Sequence, residues 1–182
     1  MKIFVGSLVG GIIFFFWQFL SWNVIDLHRP ALQYTPRQDS IIAYLSTQFD
    51  SSGGYFMPTT PDGASSDDMK KLEEKSIGKP WVQIAYHKSL DIHMGSNMIR
   101  AFVTDFLMVL IFCWIISGFT ANSFGKTFLA AIFTSLIVFM GGNYIVHIWF
   151  QTFDIMAYLT DYLISWGLTG IWLGWWLNRR KV

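Results

Sequence analysis

Four stretches of the chain are nearly free of charge, and each is about the length of a membrane-crossing helix. They run from Ile3 to Trp22, Ala101 to Phe119, Thr127 to Trp149 and Met156 to Leu177. Crossing about 30 Å of hydrocarbon takes roughly 20 mostly apolar residues in helical conformation. Helix is expected for all four, because lipid offers no partner to open backbone groups. The first run follows Lys2 as a signal peptide would. It is as long as a span, however, ends in Trp17, Gln18 and Trp22, and lacks an Ala-x-Ala site, so an uncleaved anchor is expected.

Between the first two runs the pattern changes. Ile41, Ile42, Leu45 and Phe49 fall at helical spacing within Gln38 to Phe49. Gly53-Gly54 interrupts, and Gly54 to Pro58 reads as a brief strand. Asp67 to Lys75, behind a serine cap with acids first, reads as a short helix. Pro80 to Tyr86 is rich in strand formers and could pair with 54–57. The fold class expected is a membrane all-α protein. Four transmembrane helices would carry a small α+β extracytoplasmic cap between spans one and two. The corresponding regions are 1–22 as the first transmembrane helix, 23–100 as the cap, and 101–182 as a three-helix transmembrane region with a cytoplasmic tail.

Composition supports this class. Of 182 residues, 53% are hydrophobic and only 14% charged, against about 25% charged in a soluble domain. The aromatic content of 18% excludes a disordered chain. Thirteen Lys and Arg against 12 Asp and Glu leave no basic excess for nucleic acid. Cys113 is the only cysteine, which excludes an internal disulfide and any Cys-x-x-Cys site. It also excludes the quinone-coupled disulfide-forming enzymes, which share a four-span layout but need paired cysteines.

The charges orient the chain. Lys2, Lys126, Arg179, Arg180 and Lys181 collect on one side without an acid, while all 12 carboxylates fall on the other side or in the half-spans adjoining it. The excess of basic residues on cytoplasmic loops puts both termini inside and 23–100 outside.

Polar residues concentrate near the outer boundary. Asp105 and Asp161 each lie about 7 Å inside their span entries, at about 1.5 Å per residue. His147 on span three sits at a similar depth, with Asn143 one turn deeper. Arg100, Tyr158 and Tyr162 are potential donors beside them, and Asp154, His28, His87 and His93 lie near the same level. An ionised acid costs roughly 2.5–3.5 kcal/mol at mid-bilayer and less near the interface. These acids are therefore expected to face the bundle interior, in a hydrogen-bonded network that fixes helix register. A functional polar pocket is the alternative use of the same residues.

No metal and no cofactor are expected. A bis-histidine haem needs two ligands inside the bundle, and only His147 lies within a span. No His-x-x-x-His spacing supports a metal site. Catalytic signatures are missing too: there is no Gly-x-Ser-x-Gly, His-Glu-x-x-His, Walker loop or dinucleotide fingerprint. Gly6-x-x-x-Gly10 and Gly170-x-x-x-Gly174 are suited to close helix packing. Most of the nine tryptophans fit an interfacial belt.

The order Trp17-Gln-Phe-Leu-Ser-Trp22, Gly54-Tyr-Phe-Met-Pro58, Phe102-Val-Thr-Asp105, Asn143-Tyr144, then Asp161 with Trp166-Gly167 resembles a group of small, uncharacterised bacterial inner-membrane proteins. Their layout is one anchor, a short periplasmic segment and three further spans. The resemblance implies a bacterial inner membrane and a periplasmic cap, and it carries no catalytic residue over. The expected function is non-enzymatic: an accessory or scaffolding subunit of a larger inner-membrane assembly, in contact with lipid and with other membrane subunits or itself. The alternative is a small binding or transport protein using an outer-leaflet pocket around Asp105, His147 and Asp161.

Overall fold

The computed structural model describes residues 1–118 and 123–179. Phe119, the expected end of span two, and the basic residues Arg180 and Lys181 lie outside the described residues. The chain is 70% helical and divides into two compact units, Met1–Gln33 with His93–Val182, and Tyr34–Ile92.

The first unit is a helical bundle. Helix α1 covers Lys2–Phe19 and continues through a π-helical turn, Leu20–Val24. Helix α4 covers Met94–Ser117, beginning more than a turn before the apolar run. Helix α5, Phe124–Val138, continues through a second π-helical segment, Phe139–Tyr144, into α6, Ile145–Trp149. Helix α7 covers Ile155–Asn178. Among the described residues, three stretches are both long and apolar enough to cross a membrane: Lys2–Val24, Met94–Ser117 and Phe124–Trp149. Helix α7 matches them in length with 24 residues. Its tryptophans, tyrosines and glycines, together with Asp161, hold its mean hydropathy below theirs.

The burial pattern accommodates the polar residues that α7 carries. Ala157, Asp161, Ser165, Thr169 and Leu173 recur every fourth residue and are all buried. One face of α7 is therefore turned inward, against α1 and α5, while α1 also packs on α4. The apolar core joins Phe14, Val109, Phe112, Cys113, Ile116, Ala131, Trp166 and Leu173. Trp166 meets Phe14 edge-on at 4.9 Å and Phe112 at 5.1 Å between ring centres.

Glycines set the helix spacing. A Cβ at Gly11 would stand 2.9 Å from the Phe106 Cα, and one at Gly170 only 2.7 Å from the Ala131 Cβ. Gly6, Gly10 and Gly174 make similarly close approaches to Trp176, Val109 and Phe124. These glycines are used within the chain, where small residues let backbones approach.

The start of α1 and the end of α7 are tied together at one end of the bundle. The Lys2 ammonium donates to the carbonyls of Leu177 and Arg179 at 2.8 and 3.0 Å. It thus satisfies carbonyls that the last turn of α7 leaves without a helical partner. Trp176 and Trp172 donate their indole N–H groups to the Lys2 and Gly6 carbonyls at 2.8 and 3.0 Å. These two tryptophans fasten helices together, a role that belt anchoring does not describe.

The second unit holds α2 (Gln38–Gln48), β1 (Gly53–Met57), α3 (Ser66–Ser76) and β2 (Val82–Tyr86). The strands pair antiparallel, with Gly53 opposite Tyr86 and Met57 opposite Val82. The Phe49 ring stacks on Tyr55 at 3.8 Å, joining the end of α2 to the hairpin. The Ser65 hydroxyl caps α3 by accepting from the Asp68 N–H and donating to its carboxylate. The unit begins at Tyr34 and ends at Ile92, inside the expected 23–100, because residues 25–33 belong with the bundle and α4 already starts at Met94.

Replacing Gly11 by valine should destabilise the bundle by about 1–3 kcal/mol through overpacking against the α4 backbone. Gly141→Ala, where nothing lies within 4 Å of the added carbon, should not destabilise the bundle and should gain up to about 1 kcal/mol from reduced backbone freedom of the unfolded chain. Thermal unfolding of the detergent-solubilised variants checks the contrast.

Candidate functional site

The most polar part of the bundle interior is built on His28. Beyond the π-helical turn, Asp26 adopts a left-handed backbone conformation with φ of 57°. Aspartate is among the few non-glycine residues that tolerate this region. The reversal is held by the Leu27 N–H donating to the Ser21 carbonyl at 3.0 Å. Together they return the chain to the bundle, and His28 ends 1% exposed.

Its ring lies between two carboxylates of the α7 region. Nδ1 is 2.8 Å from Asp154 Oδ2, and Nε2 is 2.9 Å from Asp161 Oδ2. Asp154 stands at the N-cap of α7 and Asp161 two turns further along. Both are buried, at 6% and 8% exposure. Two contacts between ring nitrogens and carboxylate oxygens require two protons among the three groups. A doubly protonated ring with two carboxylates meets this requirement, as does a neutral ring beside one carboxylic acid.

Neighbours complete the enclosure. Trp17 of α1 donates its indole N–H to Asp161 Oδ1 at 3.0 Å, so both oxygens of that carboxylate are engaged. The Trp22 ring stacks on the imidazole at 3.8 Å and 9°. Tyr158 meets the imidazole edge-on at 4.8 Å between ring centres. The Ser165 hydroxyl donates to the Asp161 backbone carbonyl. The cluster thus joins α1, the segment following it and α7 in one buried constellation.

The remaining candidates from the sequence form separate contacts. Asp105 is 2% exposed; its Oδ1 accepts from the Gln18 amide at 3.1 Å, and its Oδ2 has no hydrogen-bond partner among the described residues. Tyr162 donates to the Asn143 side-chain oxygen at 2.7 Å, linking α7 to the second π-helical segment. His147 Nδ1 accepts from the Thr152 backbone N–H at 3.0 Å, within its own connection. Arg100 stays exposed. Asp105, His147 and Asp161 therefore have three different sets of partners, and the pocket expected around them is not assembled by direct contact. The physical reason is that Asp161 points toward His28, which returns from the end of α1, while His147 is occupied by the turn that follows it.

Two features of this site lay outside the sequence reading. Position in the sequence places His28 near the boundary but not inside, and depth alone groups Trp17 and Trp22 with the interfacial tryptophans. The available signal was the separation of Asp154 and Asp161 by seven residues, two turns on one face of α7. A donor must meet such a pair when both are buried. Among the described residues no group of three or more His, Cys, Asp or Glu is arranged to hold a metal ion. In the histidine cluster the carboxylates lie on opposite sides of the ring, an arrangement that bridges acids and does not chelate.

Replacing His28 by alanine leaves two buried carboxylates facing each other without their common donor. The expected loss is about 3–5 kcal/mol, typical of breaking a buried charge pair from one side. Adding Asp154→Asn and Asp161→Asn to His28→Ala should recover much of that loss, because no uncompensated carboxylate then remains. A thermal-unfolding cycle over the four combinations measures this recovery. No known protein family, characterised protein or solved structure matches the chain.

Proposed function

We propose that the chain is a non-enzymatic integral membrane protein that serves as an accessory or scaffolding subunit of a larger bacterial inner-membrane assembly. In this reading α7 is the fourth span, both termini are cytoplasmic and residues 23–100 are periplasmic. The charge asymmetry supports that orientation, since Lys2, Lys126 and Arg179 share one side with no acid. The buried polar stripe of α7 (Asp161, Ser165 and Thr169) suits a span shielded by α1 and α5, because intramembrane polar groups face the bundle interior.

The observation that carries the scaffolding role is the state of the 34–92 unit. It has two helices and a hairpin, yet none of its residues is buried. An isolated two-stranded hairpin is marginal in water, and small units need a core or a partner. Ile42, Ile77, Trp81, Leu90 and Ile92 are all more than 45% exposed. Such a unit gains its stability from what covers it, here another subunit of the assembly. The enclosure of the His28 cluster agrees with this division: the buried polar groups hold the bundle, and the outer unit makes the contacts.

Purification from native membranes in mild detergent, followed by mass spectrometry, tests the reading. A stoichiometric membrane partner should accompany the wild-type chain and be lost from Ile42→Asp or Leu90→Asp. A chain that migrates alone as a monomer contradicts it. Thiol labelling of Asp67→Cys and Arg179→Cys in a Cys113→Ala background should place the two positions in opposite compartments.

A further inference from the structure

Helices α1 and α7 leave a groove of about 490 Å³ on the outside of the bundle. Ile13, Leu168, Ile171, Trp172 and Trp175 line it, with almost no polar surface. From Leu168 to Trp175 the lining extends about 10 Å along the helix axis. At the Trp175 end the apolar lining gives way to a cation. The Arg179 guanidinium stands 5.3 Å from the Trp175 ring centre and 3.5 Å from that of Trp176.

This cation differs from its neighbour Lys2. The Lys2 ammonium is occupied by two α7 carbonyls. Arg179 is exposed, and among the described residues no carboxylate pairs with its planar fork of donors. Such a fork suits the oxygens of a phosphate. The tryptophan faces beneath it restrict where it can swing. An apolar channel about two turns long that ends in a positioned guanidinium is complementary to an amphiphile with an apolar tail and an anionic head.

We propose that this groove binds one acyl chain of an anionic glycerophospholipid, with the lipid phosphate paired to Arg179. The tail lies along Ile13, Leu168 and Ile171, and the glycerol region rests at Trp172 and Trp175. The site rests on the reading of α1 and α7 as membrane spans, with Arg179 at the headgroup level of the basic side. It adds a lipid preference that this topology alone does not supply.

The test is tryptophan quenching in the full chain reconstituted into phosphatidylcholine vesicles. Phosphatidylglycerol or phosphatidylcholine, each brominated on its acyl chains, is titrated in over the same range of mole fractions. The brominated phosphatidylglycerol should reach half-quenching at about a fivefold lower mole fraction, the contribution of one basic side chain at an anionic surface. Arg179→Gln should bring the two lipids level, and Lys181→Gln, a charge control, should leave the preference unchanged. Leu168→Phe with Ile13→Phe fills the groove, keeps every charge, and should also abolish the preference.

Equal quenching by the two lipids in the wild-type chain overturns the site while leaving the membrane reading intact. A preference that survives Arg179→Gln or the groove-filling pair overturns it as well, by reducing it to general surface attraction. Absence of quenching by either lipid means that the lining helices are not in the bilayer, and the topology fails together with the site.

Discussion

The bundle depends on one imidazole placed between two acids. Without His28, Asp154 and Asp161 would be buried carboxylates sharing a helix face, and bringing such groups out of water costs several kcal/mol each. With it, each acid has a donor at 2.8–2.9 Å, and Trp17 supplies a third contact. Much else follows from meeting that requirement. The chain turns back through a left-handed Asp26, Trp22 covers the ring, and residues 25–33 are held with the helices. The polar face of α7 is tolerable because it is turned toward α1 and the returning segment.

The opposite end of the bundle is held differently. There Lys2, Trp172 and Trp176 close the contact between α1 and the end of α7 using backbone carbonyls as acceptors. Between the two ends, Gly10, Gly11 and Gly170 set close backbone approaches. Helices that meet lipid on their outer faces gain little from hydrophobic burial against one another. Specific donors and small residues at three levels provide the register that apolar packing alone would not. The 34–92 unit is the converse case, with regular secondary structure and no buried residue.

Much of the fold was legible in the sequence, since long apolar runs and helix periodicity are direct signals. The helix at 38–48, the capped helix after Ser65 and the pairing of the 53–57 and 82–86 strands all follow from local pattern. The two π-helical segments were not legible, because an extra residue in a turn leaves the apolar pattern of Leu20–Val24 and Phe139–Tyr144 intact. The polar layer was readable as a set of residues but not as a set of pairs. Depth along a helix follows from counting residues, whereas partners depend on how helices rotate against each other. Asp161 could have met His147, Arg100 or Tyr158 by depth alone. It meets His28 because the chain after α1 doubles back, a three-dimensional event marked only by Asp26. Trp17, Trp172 and Trp176 show the same limit: depth placed them near the boundaries, but their indole N–H groups point inward to acceptors.

The central claim is that the histidine cluster is a closed structural clamp. The most direct measurement is the rate of carbethoxylation of each histidine by diethylpyrocarbonate in the folded, detergent-solubilised protein, followed by peptide mass spectrometry. Exposed His87 should react readily, while His28 at 1% exposure should stay unmodified until the protein is unfolded. Modification of His28 in the folded protein at a rate close to that of His87 would show an open, water-accessible site and contradict the account.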